Sequence, residues 1–271
     1  MKLEGKVIIV AGAGPGIGEG VVKVLASEGA DIAVVDINEA EAKRIAEDVK
    51  KAGRKAVAIK ADLTDEEECK KVVKTTLGSL GKIDGLANIV GGLGSISLSK
   101  KSNAFVDQTA AEWDQTFKLN LMTCIFMCKA IAPYFMERKN GKIVNTSSQC
   151  ATTYSGVSPY CCSKAAIQYF SKTLAVSLAP YNINVNILNP GIVYTPGFWE
   201  KSLAHRRKLN PELFAGKTDK EFLESMVLPH IPLKRLQTPE DMGHMVAFLL
   251  SDEAKNITGQ TNYVDGGMYM G

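Results

Sequence analysis

Lys6-Val7-Ile8-Ile9-Val10-Ala11-Gly12-Ala13-Gly14-Pro15-Gly16-Ile17-Gly18 is the stretch whose reading decides the fold. Lys6 to Ala11 is a short apolar run, the pattern of a buried parallel strand. Glycines follow at once, and Gly20 to Ser27 then reads as a helix with Val21, Val22, Leu25 and Ala26 apolar, ending at Gly29. Strand, glycine turn and helix in that order give a glycine motif its meaning. Glycine lets the backbone turn tightly and approach a pyrophosphate, and a helix N-terminus supplies N–H donors and a favourable dipole. A plain glycine turn is the competing reading.

The next segments extend the same pattern. Asp31-Ile32-Ala33-Val34-Val35-Asp36 is a second strand that ends in an acid. An acid there can accept hydrogen bonds from ribose hydroxyls and repels a 2′-phosphate. Ile37 follows and Pro15 precedes Gly16, so no base stands nearby, and NAD(H) is expected over NADP(H). Glu39–Ala52 reads as a charged amphipathic helix and Ala56–Lys60 as a third strand. Thr64 or Asp65 caps a helix reaching about Leu80, and the fourth strand lies in Leu86–Gly92. Strands alternating with helices predict an α/β, Rossmann-type doubly wound parallel sheet of about seven strands, with helices on both faces.

The second half carries the chemistry. A Gly/Ser/Lys-rich loop spans Gly94–Asp107, and Ala110–Arg138 reads as one long helix that includes Asn120. The strand Lys142–Thr146 delivers Ser147 and Ser148. Pro159 then opens a helix to about Tyr181, with Tyr160 and Lys164 four residues apart and so on one face. The ammonium is expected to lower the phenol's pKa and make Tyr160 an acid/base near neutral pH. Ile183–Asn189 is a sixth strand, Pro239–Leu250 the last helix and Thr261–Gly267 a final strand and turn. Between them, residues 196–232 hold Phe198, Trp199, Phe214, Phe222 and Met226 among Lys201, Arg206, Arg207, Lys208, Lys217 and Lys220. They are expected to form short helices over the site as a lid, within one domain covering 1–271.

Composition bounds the function classes. The 271 residues are 45% hydrophobic and 23% charged, ordinary for a globular protein. A net charge of +3 with no basic, aromatic-interleaved stretch argues against nucleic acid. No signal peptide and no membrane-length apolar run are read. The six cysteines show no paired metal spacing and the three histidines are scattered, so reduced thiols, no metal and a cytoplasmic location are expected.

Taken together, the glycine turn, Asp62, Asn88 with Gly91, Asn120, Ser148 with Tyr160 and Lys164, and Pro190-Gly191 with Thr195 resemble the short-chain dehydrogenase/reductase family. The resemblance runs from residue 5 to 267. It implies that Gly12, Gly16 and Gly18 hold the pyrophosphate with Ile17 beside them. Asp36, with Ile37 next to it, meets the adenosine ribose. Asp62 and Leu63 edge the adenine, and Asn88 lies along the cofactor's floor. Pro190, Gly191, Ile192 or Val193, and Thr195 surround and orient the carboxamide. Tyr160 is the acid for ketone reduction and the base for alcohol oxidation. Lys164 binds the nicotinamide ribose, Ser148 bonds the substrate oxygen, and Asn120 holds a helix irregularity and a proton route. Ser147 stays open as the alternative serine. Ala11 replaces the family's usual threonine, and Asn88-Ile89-Val90-Gly91 its Asn-Asn-Ala-Gly. The expected protein is an NAD(H)-dependent oxidoreductase that interconverts a secondary alcohol and a ketone, usually a homotetramer and otherwise a dimer; the aromatics of 196–232 suggest a hydrophobic or cyclic substrate and its bases an anionic group or CoA, against the alternative of a solvated helix face. A non-catalytic cofactor-binding subunit is the alternative.

Overall fold

Five consecutive buried residues, Val7–Ala11, form β1, an inner strand of the sheet with both faces covered. The computed structural model describes residues 1–92, 105–153 and 158–270. The other strands are β2 (Asp31–Asp36), β3 (Ala56–Lys60), β4 (Gly85–Asn88), β5 (Gly141–Thr146), β6 (Ile183–Pro190) and β7 (Thr261–Val264). All pair in parallel, in the order β3-β2-β1-β4-β5-β6-β7. The order reverses between β1 and β4, which opens a crevice at their carboxyl ends.

Alternation along each strand divides the core. Ile8 and Val10 point to one face, under α1 (Ile17–Ser27), α2 (Glu39–Lys51) and, further along the chain, the last helix, Pro239–Leu250. Ile9 and Ala11 point to the other, under α3 (Glu66–Leu80) and the two long helices of the middle of the chain. Residues two apart share a face, so each strand feeds both layers.

Caps fix the helix starts. Asn38 accepts from the Ala40 and Glu41 N–H groups at the start of α2. Asp65, not Thr64, caps α3 through the Glu67 N–H at 2.8 Å. Helix α1 begins at Ile17 rather than Gly20, directly on the glycine turn.

The helix expected over 110–138 is interrupted. It divides into α4 (Ala110–Phe117), a π-helical turn at Lys118–Met122 and α5 (Thr123–Arg138). This stretch is also long and apolar enough to cross a membrane, which corrects the reading that no run is. Here Cys124, Met127, Cys128, Ile131 and Phe135 bury its apolar side against the sheet. Helix α6 (Pro159–Leu178) ends in a 3₁₀ turn at Ala179–Tyr181.

Residues 196–232 form α7 (Pro196–Leu209), a 3₁₀ turn at Pro211–Phe214, α8 (Asp219–Val227) and a 3₁₀ turn at Leu228–His230. They have their own small core of Leu203, Phe214, Phe222 and Leu223, with Phe214 and Phe222 stacked at 3.7 Å. The last helix is α9 (Pro239–Leu250), capped by Thr238 and Asp241. Of the loop at 94–107, residues 94–104 lie outside the described residues, as do Tyr154 and Ser155 of the connection before α6 and Gly271 of the tail.

Candidate active site

The carboxyl ends of β1, β2, β4, β5 and β6 open into one cavity of about 710 Å³. Its first wall is the glycine turn. The Gly12 and Ala13 N–H groups bond to the Val35 carbonyl at 2.9 and 3.0 Å, which folds the turn back over β2. Gly16, at φ 115°, stands at the N-cap of α1 with no side-chain cap, so this helix start faces the cavity bare. A Cβ at Gly18 would run into the Gly12 carbonyl oxygen, so the close packing of turn on helix requires glycine there. Ile17 lines the same wall.

Asp36 follows at the end of β2. Its Oδ2 accepts from the Gly14 N–H at 2.8 Å and its Oδ1 from the Asn38 N–H at 2.9 Å. Both bonds hold an anion at the cavity edge. Ile37 lies beside it, exposed. Asp62 and Leu63 line the next stretch. The Asp62 carboxylate accepts from both the N–H and the hydroxyl of Thr64, which holds it below the usual carboxylate range. Among the described lining residues the only base is Lys164.

Asn88 departs from expectation. The strand alternation puts it on the face of Leu86, away from the cavity. Its Nδ2 donates to Asn145 Oδ1 at 2.8 Å and meets the sulfurs of Cys124 and Cys128. Ile89, Val90, Gly91 and Gly92 form the wall instead. The hydroxyl lost at Ala11 is covered by backbone: the Ala11 carbonyl accepts from the Ile89 and Val90 N–H groups at 2.8 and 3.1 Å.

The far end holds Ser148, Tyr160 and Lys164, all on the cavity wall. Strand β5 delivers the serine and the first two turns of α6 deliver the other two. The Ser148 hydroxyl accepts from the Cys150 N–H at 3.4 Å and stands beside the Tyr160 phenol. Ser147 also reaches the wall, but it is 2% exposed and committed to α6: its hydroxyl donates to the Lys164 carbonyl at 2.8 Å and accepts from Gln168 at 3.2 Å. The geometry therefore favours Ser148 over Ser147.

The expected lowering of the Tyr160 pKa is overturned. Burial pushes the phenol up, and the neighbouring Cys150 adds to the rise, against the influence of the Ser148 hydroxyl. Lys164 sits over the Tyr160 ring, 5.8 Å from its centroid, and donates to the Thr146 carbonyl at 3.0 Å. It is buried, and desolvation pulls its own pKa down to about 8. Burial penalises both charges, and this outweighs the attraction that sequence spacing suggests.

Asn120 lies fully buried within the π-turn, behind the wall. Its Oδ1 accepts from the Gly92 N–H at 2.9 Å, and its Nδ2 donates to the Gly92 and Thr116 carbonyls at 2.9 and 3.0 Å. A Cβ on Gly91 would stand 2.6 Å from both Asn120 Oδ1 and Lys164 Nζ, so Gly91 lets these two groups crowd the backbone.

Pro190, Gly191, Val193 and Thr195 close the cavity after β6. Val193 faces it, whereas Ile192 packs into the core of the 196–232 segment. Phe198 and Trp199 also line the cavity, and the Trp199 indole N–H donates to the Val193 carbonyl at 2.9 Å. The bases described there, Arg207, Lys208, Lys217 and Lys220, are exposed, and none lines the cavity. Arg207 pairs with Asp219 and lies over the Phe214 ring, and Lys220 lies over Tyr194 and near Glu224. Leu119 and Thr123, from the π-turn and α5, are lining residues missed in the sequence. Helical interruption at Asn120 was the signal that pointed there.

The family model described as Enoyl-(Acyl carrier protein) reductase matches residues 12–269. The 2,3-dihydro-2,3-dihydroxybenzoate dehydrogenase of Bacillus subtilis is 33% identical over 273 residues, 99% of this chain and 98% of that one. Oxidoreductase UcpA of Salmonella typhimurium is 35% identical over 268 residues, covering 98% and 95%. The structure of a 7α-hydroxysteroid dehydrogenase complexed with NADH and 7-oxo glycochenodeoxycholic acid superposes with a TM-score of 0.83 at 29% identity. It covers 98% of this chain and 95% of that one. A protein of that enzyme name in Escherichia coli is also 29% identical. With its parallel sheet, glycine turn and Ser148-Tyr160-Lys164 cluster, the chain belongs to the short-chain dehydrogenase/reductase family.

Proposed function

We propose that the protein is an NAD(H)-dependent oxidoreductase that interconverts a secondary alcohol and a ketone, with Tyr160 as the acid/base. The observation that carries this reading is one cavity with the bare glycine turn and Asp36 at one end and Ser148, Tyr160 and Lys164 at the other. The cradle suits a dinucleotide. The uncapped start of α1 and the close packing at Gly18 suit a pyrophosphate. Asp36 suits ribose hydroxyls, and the lack of any base beside it among the described lining residues supports NAD(H) over NADP(H). Gly12, Gly16, Ile17, Gly18, Asp36, Ile37, Asp62 and Leu63 would hold the adenosine half. Pro190, Gly191, Val193, Thr195 and Lys164 would hold the nicotinamide half. Bound there, the nicotinamide supplies the hydride chemistry.

The chain's own residues manage the oxygen and the proton. Ser148 and Tyr160 donate to the substrate oxygen and stabilise the charge that develops on it. A phenol raised by burial is protonated at neutral pH, the form needed to deliver a proton to a ketone oxygen. Alcohol oxidation needs the phenolate, so its rate is expected to climb with pH while ketone reduction falls. A pH–rate series in both directions checks this.

Phe198, Trp199 and Leu119 on the wall support a substrate with an apolar, ring-bearing body. Arg207 and Lys220 are engaged within 196–232, which argues against them as anion anchors; the side chains of Lys201 and Arg206 lie outside the described residues. Residues 196–232 then act as the lid. The relatives, with names of dehydrogenases and oxidoreductases, support alcohol–ketone chemistry. The reading includes a cytoplasmic homotetramer acting on a small molecule, with neither nucleic acid nor membrane as partner.

The test is turnover of a cyclic alcohol and ketone panel with NAD⁺ or NADP⁺. NAD⁺ is expected to win by about 100-fold or more, and Tyr160→Phe to lower kcat at least about 10³-fold with NADH binding kept. NADH binding with no turnover on any panel member, and no effect of Tyr160→Phe, would instead favour a non-catalytic subunit.

A further inference from the structure

On the reading of the cavity as an NAD(H) site, we propose that Trp199 is a positioning residue that ties the first turn of α7 to the nicotinamide end through the Val193 carbonyl.

Residues 192–194 are the seam between two cores. Ile192 and Tyr194 pack into the small core of the 196–232 segment, whereas Val193 packs into the main core under α1 and α9. Side chains that alternate in this way mark an extended strip. One edge of the strip is bonded to Gln237. The Gln237 N–H donates to the Ile192 carbonyl at 3.2 Å, and the Tyr194 N–H donates to the Gln237 carbonyl at 3.0 Å. In an extended chain the backbone groups of successive residues turn to opposite edges, so the Val193 N–H and carbonyl turn away from Gln237. The Trp199 indole N–H meets that carbonyl at 2.9 Å. The peptide joining Val193 to Tyr194 is therefore held at both ends, its N–H by Gln237 and its carbonyl by Trp199.

Trp199 is anchored on the other side as well. Its backbone N–H and that of Phe198 both donate to the Thr195 carbonyl at 3.1 Å, which starts α7. Thr195 also reaches the opposite wall, since a Cβ on Gly16 would stand 3.4 Å from Thr195 Cγ2. The Trp199 ring is half-buried against the small core and meets Phe198 edge-on at 5.2 Å. Val193, Thr195, Phe198 and Trp199 all line the cavity.

One indole thus joins the cavity wall, the start of α7 and the core of the lid. A shift of α7 pulls on the Val193 carbonyl. By the same linkage, a ligand that orders the wall at Val193 holds α7 in place. Packing needs only the bulk of the ring, whereas positioning needs its N–H, and the two can be separated by substitution.

Two variants of the full-length protein and two ligands make the test. Trp199→Phe keeps an aromatic ring and removes the donor. Trp199→His keeps a five-membered ring with an N–H at the corresponding position and removes the second ring. NADH carries the nicotinamide, and ADP-ribose lacks it. Isothermal titration calorimetry at about pH 8, where the imidazole is neutral, gives both dissociation constants. Trp199→Phe should weaken NADH about tenfold and ADP-ribose less than about twofold. Trp199→His should recover most of the NADH affinity, and ADP-ribose binding shows that each variant is folded. Amide hydrogen exchange across α7 should slow when NADH binds the parent protein, and much less when it binds Trp199→Phe. An unchanged NADH affinity in Trp199→Phe, equal losses for both ligands, a Trp199→His no better than Trp199→Phe, or α7 exchange that ignores NADH in the parent would each overturn the proposal and leave the cofactor reading standing. A parent that binds neither ligand would overturn both.

Discussion

Ser148 and Ser147 differ by one position but face different work. Ser148 stands beside the Tyr160 phenol, while Ser147 ties β5 to α6 through Lys164 and Gln168. Ser148→Ala is therefore expected to lower kcat/KM about 100-fold with little loss of stability. Ser147→Ala is expected to cost about 1 kcal/mol in unfolding with kinetics nearly kept. A larger kinetic loss for Ser147 in steady-state assays would reverse the assignment. Lys164 carries a second prediction. Its folded pKa of about 8 lies below the ordinary 10.5, so between those values the unfolded chain binds the extra proton. Stability should rise with pH across that window, and the full penalty of the buried charge stands below pH 8. That penalty is about 3 kcal/mol; the lost bond to Thr146 offsets about 1 kcal/mol of the relief. Lys164→Met should therefore stabilise the protein by about 2 kcal/mol at pH 7, with the gain shrinking towards pH 10. Denaturant unfolding at several pH values measures this. The Lys164–Tyr160 spacing was legible in the chain, but the sign of the Tyr160 shift was not, because desolvation depends on what covers the pair.

At the scale of elements, the π-turn Lys118–Met122 is the clearest case of a local irregularity tied to the site. An extra residue in the turn frees backbone groups that a regular helix would consume. Asn120 uses the opening to clamp both polar groups of Gly92, and so sets the wall that follows β4. Asn120→Ala removes one buried and two partly buried hydrogen bonds and leaves Gly92 unsatisfied. It should destabilise the protein by about 2–3 kcal/mol, as read from chemical unfolding. Asn120→Asp, which keeps the acceptor for the Gly92 N–H, should recover part of that loss. The asparagine itself was visible in the sequence. The break in the helix was implied only by the family resemblance, because Phe117-Lys118-Leu119-Asn120-Leu121 keeps a helical pattern throughout. Asn88 shows the converse. Strand parity with Leu86 already pointed it to the α5 layer, but its place in the motif suggested the cofactor side.

For the whole molecule, the outer surface of α6 bears directly on assembly. Tyr169 and Val176 are 74% and 76% exposed and stand seven residues apart, hence on one face. Large apolar groups left bare together mark a surface that another protein covers. A second copy meeting this face across a two-fold axis would form half of the proposed tetramer. Light scattering should give a tetramer, and Val176→Glu should shift it to smaller species while the circular dichroism of the fold stays unchanged. A monomeric parent protein would sink the idea. The same α6 carries Tyr160 and Lys164 on its inner side, so assembly would brace the helix that holds the site.

The sequence alone determined the parallel sheet, the glycine turn, Asp36 at the end of β2 and the pairing of Tyr160 with Lys164 on one helix face. Each rests on local rules: apolar runs, glycine where backbone must approach backbone, and fixed spacing along a helix. Tertiary structure alone decided which serine faces Tyr160, where Asn88 points, and how burial shifts Tyr160 and Lys164. Those outcomes depend on desolvation and on side chains converging from separate elements, and both arise only when the sheet and its helices have packed.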